Sequence, residues 1–395
     1  MHELTGVKHV YGFNSGREAI RAALQGFGVS HGDSVIMPSY CCESVAKAVV
    51  DCGGNPVFCD IGGDYNPDIE SVLRLIGPKT RAIIFTHLFG NPGRIDLLER
   101  SLEGIDARSR ILLVDDAAQS FGARLGGRLV GTFGDVGIIS FGPGKTMSGT
   151  GGGLLLTHSE TLARSIRHLS IRRVGVTAKM ERLFYWIFFR RWRKYTLPFY
   201  RFVEKRLGKK APTGEALEGL CNIDAAILME QINRLDGLLK LRIRRKAILD
   251  GLLANGRGLG VEILPRNGQD KGFLNVATKY PVRVKEVAPH SDLFGHYRSL
   301  SHLAGIELQP LYTPIHMKAP YSGYARFLPR TEKYWDTTIH IPMEPSIIDK
   351  DFLRTALMFI TFMGHWSQRL EEPQRRLRSR SLLWKKHRNR EQGRG

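Results

Sequence analysis

Four stretches of the sequence set reactive side chains among small ones. Val114-Asp-Asp-Ala-Ala-Gln119 carries two carboxylates and a carboxamide at the end of an apolar run. Gly142-Pro-Gly-Lys-Thr146 holds Lys145 in a Gly-rich turn just after a second apolar run, Val136–Phe141, which contains Ser140. Asn14-Ser-Gly-Arg17 opens an amphipathic stretch. The Lys145 turn superficially resembles a phosphate-gripping loop of a nucleotide hydrolase. That pattern needs a glycine five places before Gly144, where Ile139 stands, so the reading fails. A lysine in such a turn can instead be held against a carbonyl compound to form a Schiff base.

Pyridoxal phosphate chemistry asks for three things around that lysine: a carboxylate on the pyridine nitrogen, N–H and hydroxyl groups on the phosphate, and a group against the ring. Asp115 and Asp116 offer the first, although a carboxylate pair after a strand is also a common helix N-cap. The unpaired N–H groups that open a helix at Asn14-Ser-Gly-Arg17 make an anion site, although here too an ordinary cap would look the same. The Ser140 hydroxyl, at the end of its strand, can face the same crevice. Each feature alone leans towards the ordinary explanation, and with Lys145 they converge.

The elements that must position these groups follow from the pattern of apolar residues. Up to about residue 160, short apolar runs (Ser34–Pro38, Pro56–Asp60, Ala82–His87, Ile111–Asp115, Val136–Phe141, Gly153–Thr157) alternate with helical patterns (Ser15–Gln25, Glu43–Val50, Ile69–Leu75, Ile95–Leu102). Such alternation predicts an α/β fold with a mainly parallel sheet covered on both faces, and its chemistry gathers at the carboxyl ends of the strands. Leu228, Ile232, Leu235, Leu239 and Ile243 then form one helical stripe in a pattern running from Ile223 to Leu253. Pro281–Val284 and Ile339–Pro342 predict strands of a smaller C-terminal α+β domain, with helices near Asp292–Leu303 and Asp349–Met363. The expected organisation is a large domain over 1–170, an insert over 171–214, the long helix and small domain over 215–364, and a basic, disordered tail over 365–395.

Charge is unevenly spread. The chain carries +20, yet Ile171–Lys210 has 13 Lys and Arg against two Glu, and His365–Gly395 has ten against three Glu. The rest is nearly neutral, which argues against a nucleic-acid partner for the body of the protein. Ten of the 36 aromatic residues fall between Leu183 and Val203, interleaved with arginines and lysines. That mixture suits a peripheral contact of 183–210 with an anionic membrane, and it equally suits a lid packed on the body. No apolar run reaches the roughly 20 residues of a membrane span, and the start of the chain lacks a secretory signal, so a cytoplasmic protein, peripheral at the inner face of the membrane if the insert binds there, is expected. The five cysteines form no CxxC pair and predict buried thiols without a metal.

The ordered set of motifs resembles the DegT/DnrJ/EryC/StrS family of pyridoxal phosphate-dependent sugar aminotransferases, of fold type I. Asn14-Ser-Gly-Arg-Glu-Ala is similar to that family's SGT-x-A turn, and Gly32–Tyr40 to its GDEVIxPS-aromatic segment. Thr86–Pro92, Val114–Gln119, Gly134–Phe141 with Lys145, and Gly151–Gly153 resemble further family motifs in order. Ile223–Ala226 with Gln231 and Leu235-Asp236 resemble the family's ExQAA…QLxxLD helix, and Leu311–His316 and Ile341–Ser346 match motifs assigned to the small domain.

The resemblance implies roles. Lys145 would carry the Schiff base and then shuttle a proton, Asp116 would pair with the pyridinium nitrogen, and Gln119 would lie against the ring. Ser140 and the backbone of Ser15, Gly16 and Arg17 would hold the phosphate. Cys42 stands where the family often has a ring-stacking aromatic, so Tyr40 or His87 would contribute instead. His87, Tyr312 and His316 are candidates for substrate contact. A stretch whose asparagine reaches the partner's cofactor phosphate in the family reads Glu215–Cys221 here, with Asn222 as a substitute. An amino acid donor, usually glutamate, a nucleotide-linked keto-sugar and a homodimer are implied. Lys145 argues for transamination over deoxygenation, since deoxygenating members carry histidine there. Another cyclic ketone as acceptor, or a non-catalytic membrane-associated protein of the same fold, are the alternatives.

Overall fold

The computed structural model describes residues 1–105, 110–142, 144–176, 179, 216–255, 261–264, 271–284, 312–344, 347 and 349–361. The expected helix at Asp292–Leu303, the aromatic part of the insert and the basic tail lie outside them.

The chain forms two compact units. The first comprises Met1–Ile243, Asn267–Thr278 and Tyr312–Glu332. Its centre is a seven-stranded sheet of β1 (His9–Phe13), β2 (Ser34–Pro38), β3 (Asn55–Cys59), β4 (Thr80–Thr86), β5 (Leu112–Asp116), β6 (Val136–Ser140) and β7 (Gly153–Thr157), in the order β1-β7-β6-β5-β4-β2-β3. Strands β3, β2, β4, β5 and β6 run parallel, while β7 is antiparallel to both its neighbours. Every residue of β5 is buried, as a parallel strand covered on both faces should be. The predicted strands agree with the observed ones to within two residues at either end. Strand β1 is an addition: three of its first four residues are half-buried and one is exposed, so it shows no apolar run.

Helix α1 (Gly16–Phe27) starts where the Ser15 hydroxyl accepts the Glu18 N–H and stops at Gly28, whose φ of 82° suits a residue without Cβ. Helices α2 (Glu43–Asp51), α3 (Ile69–Arg74), α4 (Ile95–Glu103) and α5 (Glu160–Arg167) follow. One apolar cluster joins Phe85 and Leu113 of the sheet to Ile95, Leu98 and Leu102 of α4. A second joins Ile139, Leu154 and Leu156 to Leu228 and Leu235, with Ile232 and Leu239 packed against it, so the predicted helical stripe is used. The long helix itself is two: α6 (Asn222–Asn233) ends at Arg234, and α7 (Leu235–Asn255) begins next to it.

The second unit contains the sheet β8 (Val261–Ile263), β9 (Lys279–Val284) and β10 (Thr338–Pro342), all antiparallel, and a helix over 349–361. Val282, Ile339, Ile341 and Phe352 are buried there. Its interior is also polar: Lys246 Nζ and Tyr280 Oη each donate to Asp250 at 2.8 Å, which satisfies charges that burial would otherwise penalise.

One domain assignment is corrected. The sequence groups all of 215–364 as the long helix and small domain, but residues up to Ile243, Asn267–Thr278 and Tyr312–Glu332 belong to the first unit. The Ile315 N–H donates to the Ser39 carbonyl at 2.9 Å, and Thr331 donates through both its N–H and its hydroxyl to Asp60 at 2.8 Å. These bonds tie the segment to residues just beyond the carboxyl ends of β2 and β3.

Candidate active site

Because β4, β5 and β6 are parallel, Thr86, Asp116 and Ser140 emerge at the same edge of the sheet. They open onto a cavity of about 400 Å³, a size that suits a small organic ligand. Lys145, Asp116, Gln119, Ser140, Ser15, Gly16, Arg17, Cys42 and His87 all line it. Tyr312 and His316 do not.

The two adjacent carboxylates do different work. Asp115 is fully buried, and its Oδ2 accepts the Gly131 N–H at 2.6 Å and the Phe133 N–H at 2.9 Å. Its Oδ1 lies 2.8 Å from His87 Nε2, too bent to count as a hydrogen bond. His87 Nδ1 accepts the Gly93 N–H at 2.9 Å, so the ring proton sits on Nε2 and points towards that carboxylate. Asp115 is therefore structural, surrounded by donors. Asp116 faces the cavity and, among the described residues, its side chain accepts from the Ala118 N–H, at 3.0 Å. A tight turn follows it rather than a helix, so the pair is not an N-cap. Burial pushes the Asp116 carboxyl above its ordinary range, while the Ala118 N–H, Lys145 and His87 pull it back. A protonated ring nitrogen opposite it would relieve that strain.

Lys145 sits in a loop that other elements hold. The Gln231 side chain of α6 accepts the Ser148 N–H at 2.7 Å and returns a bond to the Ser148 carbonyl. Arg242 Nη2 donates to the Lys145 carbonyl at 3.2 Å. Gln231 enters the sequence reading only as part of a motif; its positioning of the loop depends on a partner 83 residues away.

At the other end of the cavity, α1 presents its first N–H groups beside Ser15 and Ser140. A Cβ on Gly16 would meet the Ser140 Cβ at 2.9 Å, and one on Gly153 would meet the Gly16 nitrogen at 2.5 Å. The absence of side chains at both positions leaves a cradle for an anion. Thr86, Thr150, Gly151 and Glu218 also line the cavity, although sequence reasoning did not single them out as site residues. Thr150 and Gly151 lie in a Gly-rich run that could have flagged them, whereas Glu218 carries no local signal.

Several single-residue expectations change. Tyr40 is fully buried and packs on Tyr65 and Phe89 at centroid distances of 6.2 and 6.4 Å, so its ring is not in the cavity wall. His87 is in the wall, but both its nitrogens face Gly93 and Asp115 rather than a ligand. Ser39 Oγ lies 2.7 Å from Nδ1 of the buried His316 ring, whose Nε2 is 3.3 Å from Glu332. Tyr312 is half-buried, with its hydroxyl pushed towards the neutral form by burial and by Cys42, Cys41 and Asp116 nearby. The cysteines are not uniformly buried: Cys42 and Cys52 are half-buried, and Cys42 lines the cavity with its Sγ 3.0 Å from Ser44 Oγ. Asn222 is exposed in the first turn of α6, and Leu217 beside the cavity residue Glu218 is buried. Among the described residues no cluster could hold a metal, and no helix is long and apolar enough to cross a membrane.

The model of the DegT/DnrJ/EryC1/StrS aminotransferase family matches residues 1–356. The chain belongs to that family. It is 26% identical to GDP-perosamine synthase of Vibrio cholerae over 351 residues, covering 88% of this chain and 84% of the relative. It is 30% identical to L-glutamine:2-deoxy-scyllo-inosose aminotransferase of Streptomyces fradiae, covering 81% and 70%. Among solved structures, the putative sugar aminotransferase Spr1654 of Streptococcus pneumoniae in its PMP form has the same fold, with a TM-score of 0.73 at 19% identity over 94% of this chain and 90% of that one. The DegT/DnrJ/EryC1/StrS chain described here is a transaminase, and pyridoxal phosphate is its cofactor. The cavity fits that group: a carboxylate at one end, an N–H and hydroxyl cradle without side chains at the other, and a lysine on the wall between loops.

Proposed function

We propose that this transaminase moves an amino group from an amino acid, glutamate foremost, to a keto-sugar carried on a nucleotide, for the synthesis of a polysaccharide or glycoconjugate. The observation that carries the reading is the convergence of Lys145, Asp116, Gln119 and the Ser15–Arg17/Ser140 cradle on one cavity. Pyridoxal phosphate, when bound, supplies an aldehyde that exchanges amines and a ring that takes up the electron pair left when a substrate C–H proton departs. The Lys145 amine would hold the cofactor between turnovers and, when free, would carry that proton to and from the substrate carbon. The Asp116 carboxylate keeps the ring nitrogen protonated. Gln119 would lie against the ring, and Ser140 with the N–H groups of Ser15, Gly16 and Arg17 would hold the phosphate. Cys42 closes one side of the ring space in place of a larger residue.

The names of the relatives above support a nucleotide-linked sugar in one case and a carbocyclic ketone in the other. The test is to incubate cofactor-loaded protein and glutamate or glutamine with nucleotide-linked keto-sugars and with inososes, and to follow the acceptor by mass spectrometry. A ketone-to-amine mass change on a nucleotide sugar supports the proposal; turnover of inososes alone contradicts it.

The working unit is a homodimer on this reading, and Met229 of α6, 69% exposed, is a suitable apolar contact. Light scattering at micromolar concentration tests it. Residues 183–210 are proposed to touch anionic membrane on composition alone. Sedimentation with anionic vesicles that is unchanged on deleting them would refute that contact, and added salt should weaken it if it exists.

A further inference from the structure

The phosphate end of the cavity contains a cation whose carboxylate partner among the described residues is shared with a second arginine. Arg17, the second residue of α1, lines the cavity with its side chain 24% exposed. Its Nε is buried and makes no hydrogen bond, although Glu18 Oε1 lies 3.5 Å away. Glu18 is itself buried and committed elsewhere: Arg21 Nη1 donates to both its oxygens at 3.2 and 3.0 Å, and the Glu218 N–H donates to Oε2 at 3.2 Å. The other carboxylate at this end, Glu218, accepts from Asn14 Nδ2 at 2.6 Å and from Arg172 Nη2 at 2.5 Å. Two arginines thus flank one buried glutamate, and Arg21 is the one that bonds to it. A buried guanidinium nitrogen left with an unmatched N–H is costly unless an anion meets it.

We propose that the Arg17 guanidinium, not only its backbone N–H, clamps the 5′-phosphate of the cofactor as a charged donor. Glu18 and Arg21 act as positioning residues, holding Arg17 beside the start of α1. This inference rests on the cofactor reading of the cavity. It goes further in assigning to one side chain a charge that the helix N-terminus and the two serines cannot supply. A dianion bound by hydroxyls and N–H groups alone keeps its full charge in a half-closed pocket. A planar guanidinium offers two parallel donors and neutralises part of that charge.

The experiment titrates apo-protein with pyridoxal phosphate and, separately, with pyridoxal, which lacks the phosphate, following tryptophan fluorescence and absorbance. Wild type, Arg17→Gln and Arg17→Lys are compared. Loss of a charge-assisted bond predicts a roughly ten- to hundredfold weaker affinity of Arg17→Gln for pyridoxal phosphate, with pyridoxal affinity unchanged. Arg17→Lys should recover part of the loss because it keeps the charge. Equal weakening of both ligands would overturn the proposal by making Arg17 merely structural. An unchanged affinity for both, with a raised KM for a nucleotide-linked acceptor, would overturn it by giving the guanidinium to the substrate's phosphate. Wild type that binds neither ligand would overturn the cofactor reading and the proposal together, whereas a failure of the proposal alone leaves wild-type binding intact.

Discussion

Replacing Asp115 and Asp116 by asparagine, one at a time, should separate folding from chemistry within two adjacent residues. All three groups around the Asp115 carboxylate are donors: the N–H of Gly131, the N–H of Phe133 and His87 Nε2, whose tautomer is fixed by the bond to Nδ1 from Gly93. An asparagine has one acceptor oxygen. If that oxygen faces Gly131 and Phe133, its NH2 faces the His87 ring proton. If His87 changes tautomer to accept, its new Nδ1 proton faces the Gly93 N–H. In either arrangement a buried donor faces another donor in place of the carboxylate oxygen that stands 2.8 Å from His87 Nε2, at about 1–3 kcal/mol. Loss of the negative charge weakens the remaining bonds as well, so about 3 kcal/mol is expected in total. Urea unfolding of the apo-protein reads this as a lower midpoint with an unchanged slope. Asp115→Asn should still develop the absorbance band of bound pyridoxal phosphate, because the residue does not line the cavity. Asp116→Asn should do the opposite, folding normally and binding the cofactor poorly. Equal stability of Asp115→Asn and wild type, or loss of cofactor binding in Asp115→Asn with stability unaltered, would refute this division of roles.

Further outcomes follow from the same geometry. Burial raises the Asp116 carboxyl in the folded apo-protein, so between its unfolded value near pH 4 and its folded one the native state holds the extra proton, and stability falls as pH rises through that window. Apo Asp116→Asn should therefore melt higher than apo wild type at pH 7, and thermal melts repeated below about pH 4 should show the gap closed. Gly16→Ala adds a Cβ 2.9 Å from the Ser140 Cβ, which should cost about 1–3 kcal/mol in urea unfolding and weaken pyridoxal phosphate binding through displacement of Ser140. Gln231→Ala removes the acceptor for the Ser148 N–H, so kcat should drop several-fold with an unchanged KM as the Lys145 loop loosens, at a cost of about 1 kcal/mol of stability.

Much of the sheet was legible because a strand buried on both faces carries a continuous apolar run, as Leu112–Val114 in β5 and Leu154–Leu156 in β7 do. Strand β1 was not, since His9, Tyr11 and Gly12 break the pattern and its place is set by pairing with residues 140 to 148 positions later. The return of Tyr312–Glu332 to the first unit is equally non-local, resting on Ser39 and Asp60. For the site, strand-end chemistry brought Lys145, Asp116, Gln119 and Ser140 forward, and the fold collects them in one cavity. What the residues alone left open was which aspartate faces the cavity. The resemblance chose Asp116, and its physical basis lies in the N–H groups of Gly131 and Phe133 and the tautomer of His87, none of which is near in sequence. Tyr40 failed as a wall residue for a related reason: its burial against Tyr65 and Phe89 is a property of the folded loops.

The central claim, that Lys145 is the amine around which this transaminase works, is tested most directly by absorbance of the purified protein with pyridoxal phosphate and then with glutamate, wild type beside Lys145→Ala. The account predicts a band near the visible edge in wild type that shifts to shorter wavelength on adding glutamate, and no such lysine-dependent band in the variant. A band of equal strength in Lys145→Ala, or a wild-type band that glutamate and glutamine both leave unmoved, would contradict it.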